Sequence, residues 1–121
     1  MFPRERFEGV ATPFYYYDTA VLRETLDTIN RETAQHANFE DPYAVKANAN
    51  PKVMNIICSK GLGADCVSGG EIQACLEAGF PASKIVFAGV GKSDWEINLG
   101  LEKNIFCFNV ESIQELEVID E

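Results

Sequence analysis

A lysine at the end of a short apolar run is the residue of this chain best suited to covalent chemistry. Lys46 closes the run at residues 43–46, and the polar stretch after it turns at Pro51. A lysine is disfavoured inside a buried strand because its ammonium loses hydration there. Where a strand ends beside a cleft, its amine can instead attack a carbonyl carbon and form a Schiff base. The alternative is a lysine that only extends into solvent at the strand end.

Four short apolar runs recur along the chain and predict the elements that position this lysine. They begin at residues 43, 63, 85 and 105, so the intervals are 20, 22 and 20 residues. A helical pattern follows each run. Short strands that alternate with helices at this interval are typical of an α/β fold with a parallel sheet. We therefore expect strands at residues 43–46, 63–67, 85–88 and 105–108.

Three of the predicted helices begin with the same S-x-x-E motif, at Ser68, Ser93 and Ser112. In such a capping box the serine oxygen accepts a hydrogen bond from a free backbone N–H, and the glutamate accepts one from another. Gly61 and Gly79 stand where two helices should end, since glycine adopts the left-handed conformation of a helix C-terminus. The caps support the division into units that the apolar runs predict.

The N-terminal part of the chain predicts one further helix and an aromatic strand. Residues 19–35 have a helical pattern capped by Asp18, and residues 14–17 are an aromatic run that favours a short strand. That strand could lie at the edge of the same sheet or belong to another domain. We divide the chain into an N-terminal strand segment, 1–18, and a partial β/α barrel, 19–121.

Successive strand–helix units occur both in open doubly wound sheets and in eight-fold barrels. A G-x-G-x-x-G motif after the first strand would favour a dinucleotide-binding sheet, and this chain has none. Units of about 20 residues favour the barrel, which typically needs about 250 residues. The 121 residues therefore predict the N-terminal half of a (β/α)8 barrel. We expect a part of a longer protein, a truncated form, or a half that needs a partner to cover its sheet edges.

Composition limits the partners and the type of site. The net charge of −9 argues against nucleic acids and anionic membranes as partners, because both favour clusters of basic residues. The chain has no long apolar run, and its first residues lack the apolar core of a signal peptide, so we expect a cytoplasmic protein. The four cysteines have no C-x-x-C spacing and His36 is the only histidine, which argues against a metal site.

Four segments together carry a resemblance to a known family. They are residues 12–18 (TPFYYYD), 43–48 (YAVKAN), 63–72 (GADCVSGGEI) and 84–93 (KIVFAGVGKS). In order and spacing they resemble the N-terminal part of the diaminopimelate decarboxylase family, within the alanine-racemase-like, fold-type III pyridoxal-phosphate enzymes. The lysine motif is shared across that wider group. The S-G-G-E segment points to its amino-acid decarboxylase branch.

The resemblance implies a barrel that carries pyridoxal 5'-phosphate, a second β-rich domain outside this chain, and a homodimer with the active site between subunits. Lys46 matches the lysine that binds the cofactor as a Schiff base. Asp65 matches an aspartate near the cofactor ring, where its charge could tune the protonation of that link. Ala44 matches a small residue that lets the ring approach the strand. The alternatives are a loop aspartate with turn hydrogen bonds and an ordinary core alanine.

Three other features have competing interpretations. The segment from Ser68 to Gly70 could bind a phosphate at a helix N-terminus, but we favour a capping box with glycine for close packing. In the family the phosphate is held by a glycine-rich loop from a later strand. Lys92 is expected to be solvated, and Trp95 is expected to pack between helices. His36 does not match the family's cofactor-stacking histidine.

The implied activity is the decarboxylation of meso-diaminopimelate to L-lysine, a lyase reaction of lysine biosynthesis, by a longer parent protein. The chain alone is expected to have little or no activity, because the residues that read the substrate lie downstream. Related decarboxylases of ornithine, arginine or carboxynorspermidine remain alternatives, as do racemases with the same lysine motif. A non-catalytic homologue is a further alternative, against which the intact Lys46 argues.

Overall fold

The computed structural model describes residues 3–36 and 38–121. Strands and helices alternate after a first helix, which confirms the prediction from the apolar runs. The elements are α1 (Thr19–Thr33), β1 (Pro42–Ala44), α2 (Pro51–Ser59), β2 (Gly63–Cys66), α3 (Gly69–Glu77), β3 (Ile85–Phe87), α4 (Asp94–Glu102), β4 (Cys107–Phe108) and α5 (Ile113–Asp120). Short 3-10 turns lie at Arg4–Phe7, Val45–Ala47 and Ala82–Lys84.

The four strands form one parallel sheet in the order β1-β2-β3-β4, with a helix in each connection. The spatial order follows the chain order, as in a β/α barrel, whereas a doubly wound sheet reverses its order at a switch point. One row of residues crosses the sheet in register: Ala44, Asp65, Val86 and Cys107. Since side chains alternate along a strand, this row shares one face of the sheet.

The apolar core lies between the other face of the sheet and the helices. The strand residues that alternate with the row above are fully buried, namely Ala64, Cys66, Ile85 and Phe87. Helices α2 and α3 cover them with Met54, Ile57, Ile72 and Cys75. Burial of such side chains contributes about 1.5–3 kcal/mol each. The row with Ala44 and Asp65 is only half-buried, because this structure places helices on one face of the sheet alone.

The predicted helix boundaries are largely confirmed. Asp18 caps α1, its carboxylate accepting hydrogen bonds from the next free backbone N–H groups. Helix α1 ends at Thr33 rather than near residue 35. Gly61 and Gly79 follow α2 and α3 with φ angles of +85° and +92°, which glycine adopts without the penalty that other residues incur. None of the helices among the described residues is long and apolar enough to span a membrane.

Two strand predictions need correction. The strand predicted at residues 43–46 ends at Ala44, because the Asn48 N–H binds the Val45 carbonyl and bends the chain into a 3-10 turn. The strand predicted at residues 14–17 is wrong in this structure, where those residues join no strand of the described chain. A strand needs a neighbour to satisfy its N–H and C=O groups.

The rings of the N-terminal segment pack on one another instead. The ring centroids of Phe7 and Phe14 lie 5.0 Å apart, and those of Phe7 and Tyr16 lie 5.1 Å apart. Such contacts stabilise a local cluster without fixing a strand register. The division of the chain at residues 18 and 19 into two domains remains a prediction.

Candidate functional site

The predicted site residues lie together where strands β1 and β2 end. Ala44 is the last residue of β1 and pairs in register with Asp65 of β2. Lys46 follows two residues beyond Ala44, in the 3-10 turn rather than on the strand itself. The structure therefore brings all three predicted residues to the carboxyl-terminal edge of the sheet, which is the edge where barrel enzymes carry their chemistry.

The turn that carries Lys46 is anchored on both sides, while the lysine itself is exposed. Val45 is fully buried in the core and its carbonyl accepts the Asn48 N–H at 3.0 Å. The side-chain oxygen of Asn50 accepts from the Lys52 N–H at 3.0 Å and caps helix α2, with Pro51 at the first helical position. Among the described residues, the Lys46 ammonium has no hydrogen bond or ion pair. A rigid turn thus presents a free amine.

Asp65 carries the most informative polar atom of the described chain. Its Oδ1 is buried and has no hydrogen-bond partner. An unsatisfied buried acceptor costs about 1–3 kcal/mol, so such an atom is rarely kept without a purpose. The alternative of a loop aspartate with turn hydrogen bonds does not account for this oxygen. An acceptor in this position is suited to a donor that a bound group would supply.

The N-terminus of α3 is occupied by a carboxylate of the chain itself. Glu96 accepts a hydrogen bond from the Gly69 N–H at 2.8 Å, as well as from the Ser93 N–H at 3.0 Å. The ring of Trp95 also covers Gly69, where an added Cβ would lie 2.5 Å from a ring carbon. The structure therefore supports the capping interpretation of this segment over phosphate binding. It also confirms Trp95 as a packing residue, although its ring is half-exposed.

Lys92 was expected to be solvated, and that prediction is wrong. Its side chain is 1% exposed, and the ammonium contacts Glu115 at 2.5 Å. It also donates to the carbonyls of Gly89 at 2.6 Å and Asn109 at 2.8 Å. A lysine ammonium has three N–H donors, and all three are used. The Lys92 ammonium also lowers the pKa of Glu115, because it donates to the ionised carboxylate.

Two residues that hold the lysine turn were not predicted from the sequence. The Tyr43 hydroxyl donates to the Asn48 carbonyl at 3.0 Å, and the Asn48 side chain accepts from the Asn50 N–H at 2.9 Å. The N-x-N-P pattern could have indicated the second bond, since asparagine side chains favour such local turns. Nothing in the local pattern indicates the first, because Tyr43 lies on the preceding strand.

The side chains at this edge fit pyridoxal phosphate. An exposed amine, a buried unsatisfied carboxylate oxygen and the short side chain of Ala44 match what an aldehyde cofactor with a protonated ring system needs. No group of three or more potential metal ligands forms among residues 3–36 and 38–121. A separate cleft of about 80 Å³ lies at the opposite end of the strands, lined in part by Pro42, Gly63 and Phe106. It contains none of the predicted site residues.

Comparison with known proteins agrees with this geometry. Residues 21–121 match the family model described as pyridoxal-dependent decarboxylase, pyridoxal binding domain. A curated diaminopimelate decarboxylase from Bacteroides thetaiotaomicron is 69% identical over all 121 residues, and one from Helicobacter pylori is 43% identical over 116 residues. The chain spans 31% of the first relative and 28% of the second.

Solved structures give the same result for the fold. A Helicobacter pylori diaminopimelate decarboxylase complexed with L-lysine superposes with a TM-score of 0.87 at 41% identity, covering 96% of this chain and 29% of that one. A diaminopimelate decarboxylase from M. jannaschii, also in complex with L-lysine, gives 0.84 at 36% identity, covering 96% and 28%. These matches confirm the predicted α/β barrel fold of the alanine-racemase type, of which this chain is a part, and the pyridoxal cofactor is confirmed for the family. The chain belongs to the pyridoxal-dependent decarboxylase family, through its pyridoxal-binding domain.

Proposed function

We propose that this chain is the cofactor-lysine part of a longer diaminopimelate decarboxylase that converts meso-diaminopimelate to L-lysine. The observation that carries the proposal is that the exposed Lys46 amine and the buried, unpartnered Oδ1 of Asp65 lie at the same carboxyl-terminal edge of the sheet. The 69% identity to a relative of that name supports this substrate. The chain spans less than a third of that relative, so the activity belongs to the longer protein.

Three residues of this chain would hold the cofactor. Bound pyridoxal phosphate supplies an electron sink for the pair of electrons that remains when a carboxylate leaves as carbon dioxide. Lys46 binds the cofactor aldehyde through Nζ and can move a proton at that atom. Asp65 places a negative charge beside the ring system and accepts a hydrogen bond at Oδ1. Ala44 leaves room for a flat ring to lie against the strand.

The cofactor phosphate must be held elsewhere. The N-terminus of α3 already binds the Glu96 carboxylate, so its backbone N–H groups do not provide a phosphate site. A helix N-terminus can hold one anion well, because its free N–H groups and dipole converge there. We infer that the phosphate loop, the acid on the ring nitrogen and the residues that read the substrate lie in the part of the protein that follows this chain.

The substrate assignment has alternatives in the same enzyme group. A viral arginine decarboxylase superposes with a TM-score of 0.70 at 26% identity. Its lower similarity favours diaminopimelate over arginine as the substrate of the parent protein.

As further parts of the proposal, the parent acts as a cytoplasmic homodimer. The open sheet face and the exposed edges of β1 and β4 need a covering partner, which the rest of the barrel supplies first.

A turnover assay on the full-length protein tests this proposal. We expect L-lysine and carbon dioxide from meso-diaminopimelate, with much lower rates on ornithine and arginine. Lys46→Ala should lower kcat by about 10³-fold or more. Lys52→Ala, which removes an exposed lysine on α2, is the matched control and should leave kcat unchanged.

Two results would contradict the proposal. Undiminished turnover in Lys46→Ala would remove the lysine from the mechanism, and faster turnover of ornithine or arginine would change the substrate. The 121-residue chain alone should release no carbon dioxide above background. Robust turnover by the isolated chain would show that the missing groups are not needed.

A further inference from the structure

The phenol of Tyr43 reaches from strand β1 to the turn beyond Lys46. Its hydroxyl donates to the Asn48 carbonyl at 3.0 Å in a partly buried setting. Tyr43 stands next to Ala44, in the row of β1 that pairs with buried Ala64. The ring therefore lies on the helix-covered side of the sheet, while Ala44 lies on the open side.

This hydrogen bond adds to the contacts that restrain the backbone on both sides of Lys46. Val45 is fixed by burial on one side of Lys46, and Asn48 is fixed on the other by its N–H bond to the Val45 carbonyl. The Asn48 side chain accepts from the Asn50 N–H at 2.9 Å. The Tyr43 hydroxyl satisfies the one remaining polar group of the Asn48 backbone. Each of these bonds restricts the backbone that carries the amine.

The hydroxyl remains a donor under ordinary conditions. Burial raises the pKa of Tyr43 above the usual value of a tyrosine, so the phenol stays protonated at neutral pH. The ring is the only part of the side chain that the core needs, since phenylalanine would fill the same space. The hydroxyl therefore has a separate role from the packing of its ring.

We propose that the Tyr43 hydroxyl is a positioning group for Lys46, which acts through the Asn48 carbonyl to hold the amine at the carboxyl-terminal edge of the sheet. This inference rests on the proposed function, because it assigns a purpose to the rigidity of a cofactor lysine. A reactive group gains most when its geometry is fixed before its partner arrives. Without the hydroxyl, the turn samples more conformations and the amine spends less time in place.

Tyr43→Phe in the full-length protein isolates this hydroxyl, with Tyr15→Phe as the matched control. Tyr15 is 89% exposed, so loss of its hydroxyl should change nothing at the turn. The first readout needs no cofactor: hydrogen exchange of the Asn48 amide in the cofactor-free protein. We expect exchange about 3- to 10-fold faster in Tyr43→Phe, as for the loss of one hydrogen bond. Exchange in the sheet core should be unchanged.

The second readout is the rate at which Lys46 captures pyridoxal phosphate, followed by absorbance and by borohydride reduction. We expect capture about 3- to 10-fold slower in Tyr43→Phe and unchanged in Tyr15→Phe. Asn48→Ala removes the side-chain acceptor of the Asn50 N–H but keeps the backbone carbonyl that accepts from Tyr43. It therefore tests whether the hydrogen bonds of the turn limit capture, and it should slow capture in the same direction. If Tyr43→Phe fails to fold, unchanged capture in Asn48→Ala would overturn the proposal, because a looser turn would then not slow the reaction of Lys46.

The outcomes separate the two proposals. If wild-type protein captures the cofactor at Lys46 and Tyr43→Phe matches it in both readouts, the positioning role is overturned and the proposed function stands. Faster exchange throughout the sheet, with slower capture, would also overturn it, because the hydroxyl would then stabilise the whole fold. If wild-type protein captures nothing at Lys46, the proposed function itself fails, whatever the exchange of Asn48 shows.

Discussion

Two lysines and two carboxylates lie near the same carboxyl-terminal edge of the sheet. One lysine and one carboxylate have partners among the described residues, and the other two do not. Lys92 is buried, contacts Glu115 and donates to two backbone carbonyls. Lys46 is exposed, and Asp65 keeps a buried oxygen without a partner. The first pair is saturated within the chain. The second pair has donor and acceptor capacity left over, although it lies on the same scaffold.

The difference separates polar groups that stabilise the fold from polar groups that remain available to bind a ligand. Saturation makes Lys92 a structural clip between the loops that follow β3 and β4, since its partners lie in both. The buried, unpartnered oxygen of Asp65 costs free energy in this chain, and a bound group that donates to it can recover that cost. The exposed Lys46 amine is hydrated and carries no such cost. Whether a lysine near a barrel rim is structural or free to react therefore depends on its partners rather than on its position.

Removing each lysine's charge sharpens the comparison most. Lys92→Met should lower the free energy of unfolding by about 3 kcal/mol, because it leaves the Glu115 carboxylate and two carbonyls without their donor. Lys46→Met should change it by less than about 0.5 kcal/mol, since the side chain is exposed and unpaired among the described residues. Urea denaturation followed by circular dichroism measures both. Equal effects of the two substitutions would break the distinction.

The packing of neighbouring units provides the next largest effect. Gly69→Ala places a methyl group 2.5 Å from the Trp95 ring and 2.9 Å from the Glu96 side chain. We expect a loss of about 1–3 kcal/mol, as for other overpacked sites. Gly70→Ala is the matched control: its nearest neighbour would be the Ser68 hydroxyl at 3.8 Å, so it should be neutral or slightly stabilising. A neutral Gly69→Ala would show that the Trp95 contact is loose.

Acid should lower the free energy of unfolding, because two hydrogen-bonded glutamates lose their charge. The pKa of Glu115 is lowered by the hydrogen bond from Lys92, and that of Glu96 is lowered by the hydrogen bond from Ser93. Groups whose pKa is lower in the folded state stabilise the fold above their unfolded value of about 4.3 and lose that contribution as the pH falls through the folded value.

Urea midpoints measured from pH 6 down to pH 3 test this sign. The urea concentration at the wild-type midpoint should decrease once the pH is below about 4.3. Glu115→Gln should make that decrease smaller, since the neutral amide does not titrate. Glu111→Gln is the control, because its side chain is exposed and no hydrogen bond to its carboxylate is described. An unchanged acid slope in Glu115→Gln would mean that the clip contributes nothing through its charge.

Local patterns predicted the units of the fold well because each unit carries its own signals. Ser68, Ser112, Gly61 and Gly79 mark helix ends through contacts within a few residues, and those contacts form as expected. The apolar runs placed each strand to within two residues at either end. The strand at residues 14–17 failed because strand formation depends on a partner, which no local pattern specifies.

The sequence indicated which strand ends carry the candidate site residues, but it did not indicate the contacts that support them. Lys46, Ala44 and Asp65 lie at one edge of the sheet because parallel strands bring their carboxyl ends together. Their roles at the cofactor remain a prediction. The burial of Lys92 depends on Asn109 and Glu115, which follow it by 17 and 23 residues. Contacts between separate loops leave no periodic signal in the sequence, so a buried clip and a solvated lysine are indistinguishable there.

Covalent capture of pyridoxal phosphate is the measurement that tests the central claim most directly. The full-length protein is incubated with the cofactor, reduced with borohydride, digested and analysed by mass spectrometry for modified lysines. We predict a pyridoxyl mark on Lys46 and none on Lys92, because only the first amine is free to react. A mark on Lys92, or equal marking of exposed lysines such as Lys52 and Lys103, would contradict the account.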